Sequence, residues 1–267
     1  MAKVRIEKIQ IKTADEIALM RESGRIVARA HEAMRQAVRP GVSTWELDQI
    51  AETVLRDNGA EPTFLGYPKH NSPDFPATIT ASINTELVHG IPSKERILKE
   101  GDIISLDVGC LYNGFVGDAA YTWAVGEIHP AVQRLLEVTQ QTLEAAINAS
   151  VLPNSISNVA QATQRYAESH GYSVALEYTG HGVGRDMHEP PQVPNWWPRK
   201  KRQTLFQDCK LQPGMTYAIE PMVITGRNAL KELGDKWTVV TKDKSLCAHY
   251  EHTIAITDGQ PEILTLL

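Results

Sequence analysis

The sequence predicts an α+β fold of two similar halves, with helices covering one side of a mostly antiparallel sheet. Three observations carry this. Two pairs of amphipathic segments bear helix-start and helix-stop signals, strand-like apolar runs follow each pair, and an offset of 113 residues relates the two stretches. That offset superposes Ala18 on Ala131, Arg21 on Arg134, Ala33 on Ala146, Val38 on Val151 and Pro40 on Pro153. It also carries Gly101 onto Gly214 and Asp107 onto Glu220. Each half thus places an acid at the end of a strand-like run, which predicts one site at the junction.

The elements follow in order. Thr13 and Glu16 have the spacing of a capping box, in which hydroxyl and carboxylate satisfy each other's backbone N–H. Ile17, Met20, Ile26, Val27, Ala30 and Met34 continue at near-helical spacing, and Pro40-Gly41 ends the helix. Ser43 and Glu46 form a second box before Leu47, Ile50, Ala51, Val54 and Leu55, closed by Asn58-Gly59. Ile103 to Cys110 and Phe115 to Val125 read as strands flanking a Leu111-Tyr112-Asn113-Gly114 turn. Helices then run from about His129 to Ala149, and through Val159, Ala162 and Tyr166 to His170-Gly171. Two more apolar runs, 215–225 and 247–257, read as strands.

Composition narrows the class. The 267 residues are 42% hydrophobic and 22% charged, a globular balance long enough to bury its own core. A net charge of −5 argues against a strongly basic nucleic-acid binder. Cys110, Cys209 and Cys247 are far apart and form no CxxC pair, so neither a disulfide framework nor a cysteine metal site is expected. The N-terminus has no apolar signal region, and no run approaches about 20 apolar residues, so the expectation is a cytoplasmic protein without a membrane span.

Acids in apolar strands stand out. Asp107, Glu220 and Glu251 each sit within an apolar run, where an unpartnered charge is expensive. A turn centred on Tyr112-Asn113 pairs Asp107 with Asp118. A turn centred on Asn113-Gly114 pairs Asp118 with Gly109 instead and still leaves both acids on one face. Adjacent carboxylates repel unless a cation or proton lies between them. Gly180 to Pro191 is a glycine-punctuated loop carrying His181 and His188, and His89 ends another strand-like segment.

Together, Val88-His89-Gly90-Ile91-Pro92, the 101–107 strand, Gly117-Asp118, the 180–191 loop, Ala218-Ile219-Glu220-Pro221-Met222 and Tyr250-Glu251-His252-Thr253 resemble the type I methionine aminopeptidases. The resemblance covers nearly the whole chain. It implies the pita-bread fold, with a pseudo-twofold relation between halves. Residues 1–267 would then be a single catalytic domain, with 1–12 an N-terminal extension and halves of about 13–125 and 126–267. It implies two divalent metal ions held by Asp107, Asp118, His181, Glu220 and Glu251, with Asp118 and Glu251 touching both. Oxygen donors plus one imidazole suit Co, Mn, Fe or Zn. His89 and His188 match the family's substrate-contacting histidines. The implied activity is removal of the initiator methionine from nascent polypeptides whose second residue is small, by a hydroxide bound at the dinuclear centre. Glu220 would serve as proton acceptor.

The family's side-chain pocket falls on Phe64, Tyr67, Thr80, Met187 and Trp237. Residues 68–77 are longer than the usual loop, which predicts displacement of Phe64 and Tyr67. His249 stands where the family commonly has Gln; the expectation is an ordinary strand histidine, with a third-shell or extra-ligand role as the alternative. The basic run Arg199, Lys200, Lys201 and Arg202 is a candidate contact with ribosomal RNA. The expected state is a monomer. Prolidase relatives normally carry an extra N-terminal domain, and type II relatives an insertion for which the 38 residues between His181 and Glu220 leave no room. A metal-free binding protein on the same fold is disfavoured because all five candidate ligands are present, and no Gly-x-Ser-x-Gly elbow points to a serine hydrolase.

Overall fold

A computed structural model describes residues 8–198 and 206–267. Arg199, Lys200, Lys201 and Arg202, the candidate contact with ribosomal RNA, therefore lie outside the described residues. Four helices and fifteen strands occur among the described residues. In the first half these are α1 (Ala14–Ala37), α2 (Thr44–Asp57), β1 (Glu61–Pro62), β2 (Ile79–Ile83), β3 (Glu86–Val88), β4 (Ile103–Tyr112) and β5 (Phe115–Ala124). Then come α3 (Pro130–Ala149), α4 (Ile156–Ser169), β6 (Ser173–Val174), β7 (Thr179–Gly182), β8 (Glu189–Pro194), β9 (Thr216–Ile219) and β10 (Met222–Ile224). The chain ends with β11 (Leu230–Glu232), β12 (Val239–Thr241), β13 (Cys247–His249), β14 (His252–Ala255) and β15 (Glu262–Ile263).

Both expected capping boxes form. Thr13 Oγ1 accepts from Glu16 N at 3.3 Å, and the Glu16 carboxylate accepts from Thr13 N at 2.9 Å. Ser43 and Glu46 do the same at 3.2 and 2.8 Å. Pro130 opens α3, where its missing N–H costs nothing.

Every strand pairing among the described residues is antiparallel. One sheet has the order β1-β4-β2 with β5 on β4, and another runs β15-β14-β9-β7-β8. Helices α1 and α2 bury Ile26, Val27, Met34, Leu47 and Leu55 against Ile79, Leu106 and Val108 of the first sheet. Helices α3 and α4 bury Leu135, Leu143, Ile156 and Val159 against Tyr217, Ile219 and Ile254 of the second.

The β4–β5 hairpin resolves the open register. Asn113 (φ 48°) and Gly114 (φ 80°) form its tip, Tyr112 faces Phe115, and Asp118 therefore pairs with Gly109. Two positive φ values in succession match the strand twist of a two-residue turn.

The runs 215–225 and 247–257 do form strands, but each is divided in two, a break that the sequence reading did not include. The first breaks at Glu220-Pro221 between β9 and β10, and the second at Tyr250-Glu251 between β13 and β14. Pro221 has no N–H for a ladder, and Glu251 N donates at 2.8 Å to Ala120 O on β5 instead. The breaks release both acids from strict alternation. They also tie β5 to the second half: Thr122 Oγ1 donates to His249 O at 2.8 Å, and Thr253 Oγ1 to Asp118 O at 2.8 Å.

Candidate metal centre and substrate cavity

A cavity of about 470 Å³ opens where the two sheets meet. All twelve residues singled out from the sequence line it: Phe64, Tyr67, Thr80, His89, Asp107, Asp118, His181, Met187, His188, Glu220, Trp237 and Glu251. Asp107 and Asp118 come from β4 and β5, on one face of the hairpin. Gly109, opposite Asp118, keeps that face open. A Cβ there would lie 2.4 Å from Thr63 Oγ1 and 3.2 Å from Asp118 Oδ1. His181 comes from β7, while Glu220 and Glu251 stand on the two strand breaks.

Asp118, His181 and Glu251 offer ligand atoms that all lie within 4.8 Å of one another. His181 Nε2 is 3.7 Å from Asp118 Oδ2 and 3.6 Å from Glu220 Oε1. Its Nδ1 sits 3.1 Å from Gly182 O, so the N–H of a neutral ring points at that carbonyl and the Nε2 lone pair faces the acids. Asp118 and Glu251 are each 2% exposed. Asp107 Oδ1, Asp118 Oδ1 and Glu251 Oε1 are buried without a hydrogen-bond partner.

Electrostatics agree with the geometry. Burial, then repulsion from Asp118 and Glu220, pushes Asp107 well above the usual carboxylate range. Burial raises Glu220 and Glu251 in the same direction, helped by their acidic neighbours. Burial lifts Asp118 to about 7, against contacts with Glu251 and Asp107 that oppose the shift. His181 is driven down to about 3 by burial, which keeps it a neutral donor. Proteins rarely bury this much unpaired acid without a cation to hold. The orphaned oxygens, the neutral imidazole and the absence of thiolate fit hard or borderline divalent ions.

The remaining residues form a substrate chamber. His89 ends β3 with φ 61°, a left-handed conformation that is uncommon outside glycine and recurs at functional sites. Its ring meets Tyr178 and Trp237 edge-on at 5.7 and 6.2 Å, and desolvation holds it neutral, down to about 4. The Tyr67 hydroxyl lies 2.7 Å from His188 Nδ1. Phe64, Met187 and Trp237 are buried apolar wall, and Thr80 pairs with Asp107 across β2–β4.

The long 68–77 loop does not displace Phe64 or Tyr67, contrary to the sequence reading. It folds back through Gly66 N to Phe75 O and Phe75 N to Tyr67 O, at 2.8 and 2.9 Å. Pro73 O accepts from Trp237 Nε1 at 2.9 Å. The loop's extra length therefore buttresses the pocket. Several lining residues were not among the site residues singled out from the sequence. Phe75 packs on Trp237, Tyr178 packs on His89, and Lys69 pairs with Glu232. Lys69 and Phe75 lie in the 68–77 loop already marked by its length, and Tyr178 carried a weaker signal as an aromatic two residues before the glycine loop. His249 is not an ordinary strand histidine: it is 2% exposed and lines the cavity.

Comparison with known proteins agrees. The profile of metallopeptidase family M24 matches residues 18–258. The chain is 48% identical to methionine aminopeptidase 1 of Bacillus subtilis, over 95% of this chain and 98% of that protein. It is 41% identical to the Escherichia coli methionine aminopeptidase, over 97% and 94%. The crystal structure of methionine aminopeptidase from Thermotoga maritima superposes with a TM-score of 0.90 at 40% identity, covering 97% of this chain and all of that one. A Xaa-Pro dipeptidase from Bacillus anthracis superposes at 0.74 and 25% identity, but this chain covers only 61% of it. The chain belongs to metallopeptidase family M24 and, within that pita-bread fold, to the methionine aminopeptidases.

Proposed function

We propose that this enzyme removes the N-terminal methionine from nascent polypeptides whose second residue is small. The observation that carries this is the position of the acid–histidine cluster at the floor of an apolar chamber walled by Phe64, Met187 and Trp237. An unbranched thioether side chain suits such a wall.

Asp107, Asp118, His181, Glu220 and Glu251 would hold two divalent ions of Co, Mn, Fe or Zn. When bound, such a pair lowers the pKa of water and polarises a carbonyl. The protein's own groups do the rest. Glu220 accepts the proton of the attacking water and passes it to the leaving amine. His188 donates a hydrogen bond to the scissile carbonyl oxygen as charge develops there. His89, neutral and held by aromatic rings, positions the scissile amide. Phe64, Tyr67, Thr80, Met187 and Trp237 receive the methionine side chain.

The reading includes a single catalytic domain acting as a cytoplasmic monomer. No helix among the described residues is long and apolar enough to cross a membrane. A ribosomal contact through Arg199, Lys200, Lys201 and Arg202 is supported by charge alone, and ribosome cosedimentation of the quadruple Ala variant tests it. The activity is tested by methionine release from Met-Ala-Ser and Met-Leu-Ser peptides, with and without chelator. Chelator-sensitive cleavage of the first only is expected. Equal cleavage of both, or preference for X-Pro peptides, overturns the reading.

A further inference from the structure

His249 faces the acidic cluster in a way that the five-ligand set does not use. It ends β13, and its backbone is pinned on both sides by one hydroxyl. His249 N donates to Thr122 Oγ1 at 2.9 Å, and Thr122 Oγ1 donates to His249 O at 2.8 Å. The side chain is thereby held inside the cavity, 2% exposed, and its Nε2 has no hydrogen-bond partner. An unpartnered buried nitrogen needs an explanation.

The distances supply one. His249 Nε2 is 3.8 Å from Glu220 Oε2 and 3.8 Å from Glu251 Oε2. His181 Nε2 is 3.6 Å from the other Glu220 oxygen, Oε1, and 3.7 Å from Asp118 Oδ2. The two imidazoles therefore flank one carboxylate at matched range, each with a second acid beside it. These separations are too long for hydrogen bonds. They fit donors sharing an ion, because legs of about 2.1–2.2 Å opened by roughly 110–130° span that gap.

We propose that His249 is a second imidazole donor to the divalent-cation centre, serving the Oε2 side of Glu220 as His181 serves the Oε1 side. This rests on the metal-centre reading above. It makes the centre richer in nitrogen than the five-ligand set, a change that favours borderline ions over hard ones. The competing reading is that His249 only hydrogen-bonds a carboxylate, with no ligand bond.

The test counts imidazoles directly. The protein is loaded with Co(II), its histidines are labelled with 15N, and contact-shifted ring N–H resonances are recorded alongside calorimetric titration of Co(II). Two such resonances are expected in the wild type and one in His249→Gln. Binding of one ion should weaken roughly tenfold or more in the variant, at least the loss typical of an outer-shell partner. A wild type that binds two ions but shows a single resonance overturns the His249 assignment alone. So does a His249→Gln titration that superposes on the wild type. A wild type that binds no divalent ion overturns the metal-centre reading as well. If His249→Gln fails to fold, the wild-type resonance count still decides.

Discussion

The contact of 2.7 Å between the Tyr67 hydroxyl and His188 Nδ1 decides which ring nitrogen of His188 can donate. A hydroxyl that donates to Nδ1 leaves the ring proton on Nε2, the tautomer needed to stabilise a developing negative charge. Tyr67→Phe keeps the pocket wall and removes that control. One hydrogen bond is worth about 1 kcal/mol, so kcat for Met-Ala-Ser should fall roughly fivefold while KM changes little. The 15N shifts of His188 should move towards a mixed tautomer in Tyr67→Phe. An unchanged kcat together with unchanged shifts would remove Tyr67 from the mechanism. At this scale the sequence was most legible where chemistry was out of place. Asp107, Glu220 and Glu251 were visible as acids among apolar neighbours, and the 180–191 loop advertised His181 and His188. His249 was visible only as a departure from the family's Gln, because a lone histidine in an apolar run is ordinarily core. Only the distances to Glu220 and Glu251 distinguish it.

Among the elements, helices were readable to within a residue or two because their ends are set locally. Thr13, Glu16, Ser43 and Glu46 cap with their own neighbours, and no tertiary contact is needed to place them. The strands near the site were harder. Their hydropathy ran on through Glu220-Pro221 and Tyr250-Glu251, but the ladder stops where backbone groups find partners elsewhere. Glu251 N reaches across to Ala120 O, a contact between distant segments that no local pattern contains. The hairpin register lay between these cases. Local sequence offered two turns, and the left-handed pair Asn113-Gly114 chose between them. Close packing of α1 on β5 was equally hidden. A Cβ on Gly117 would sit 2.7 Å from Gly24 N, so Gly117 lets the strand approach the helix, while a Cβ on Gly24 would meet Leu264 O of the C-terminal segment at 2.2 Å. The 113-residue offset was legible because it relates whole elements. It relates Asp107 to Glu220, and both line one cavity.

On the scale of the whole molecule, the site is bought with buried titratable groups, and stability should report them through pH. His31 is the clearest case because it stands apart from the acidic cluster. It lies on α1, 3% exposed, with Nε2 2.8 Å from Ala119 O on β5 and its ring edge-on to Tyr121 at 4.7 Å. Burial drives its pKa down from 6.5 to about 4, only partly opposed by the Ala119 contact. The folded state therefore keeps the ring neutral where the unfolded chain protonates it. Its contribution is fully present above 6.5 and is lost as pH falls towards 4. The full loss amounts to about 3 kcal/mol. The raised carboxylates of the site act in the opposite sense, losing stability as pH rises, but they are common to wild type and variant. The difference between wild type and His31→Gln therefore isolates the histidine. Urea unfolding of both proteins from pH 7.5 to 4, with m-values compared, measures it. The gap between them should shift in favour of His31→Gln by about 3 kcal/mol across that window, and a gap independent of pH would show that His31 titrates in the fold as it does in the unfolded chain.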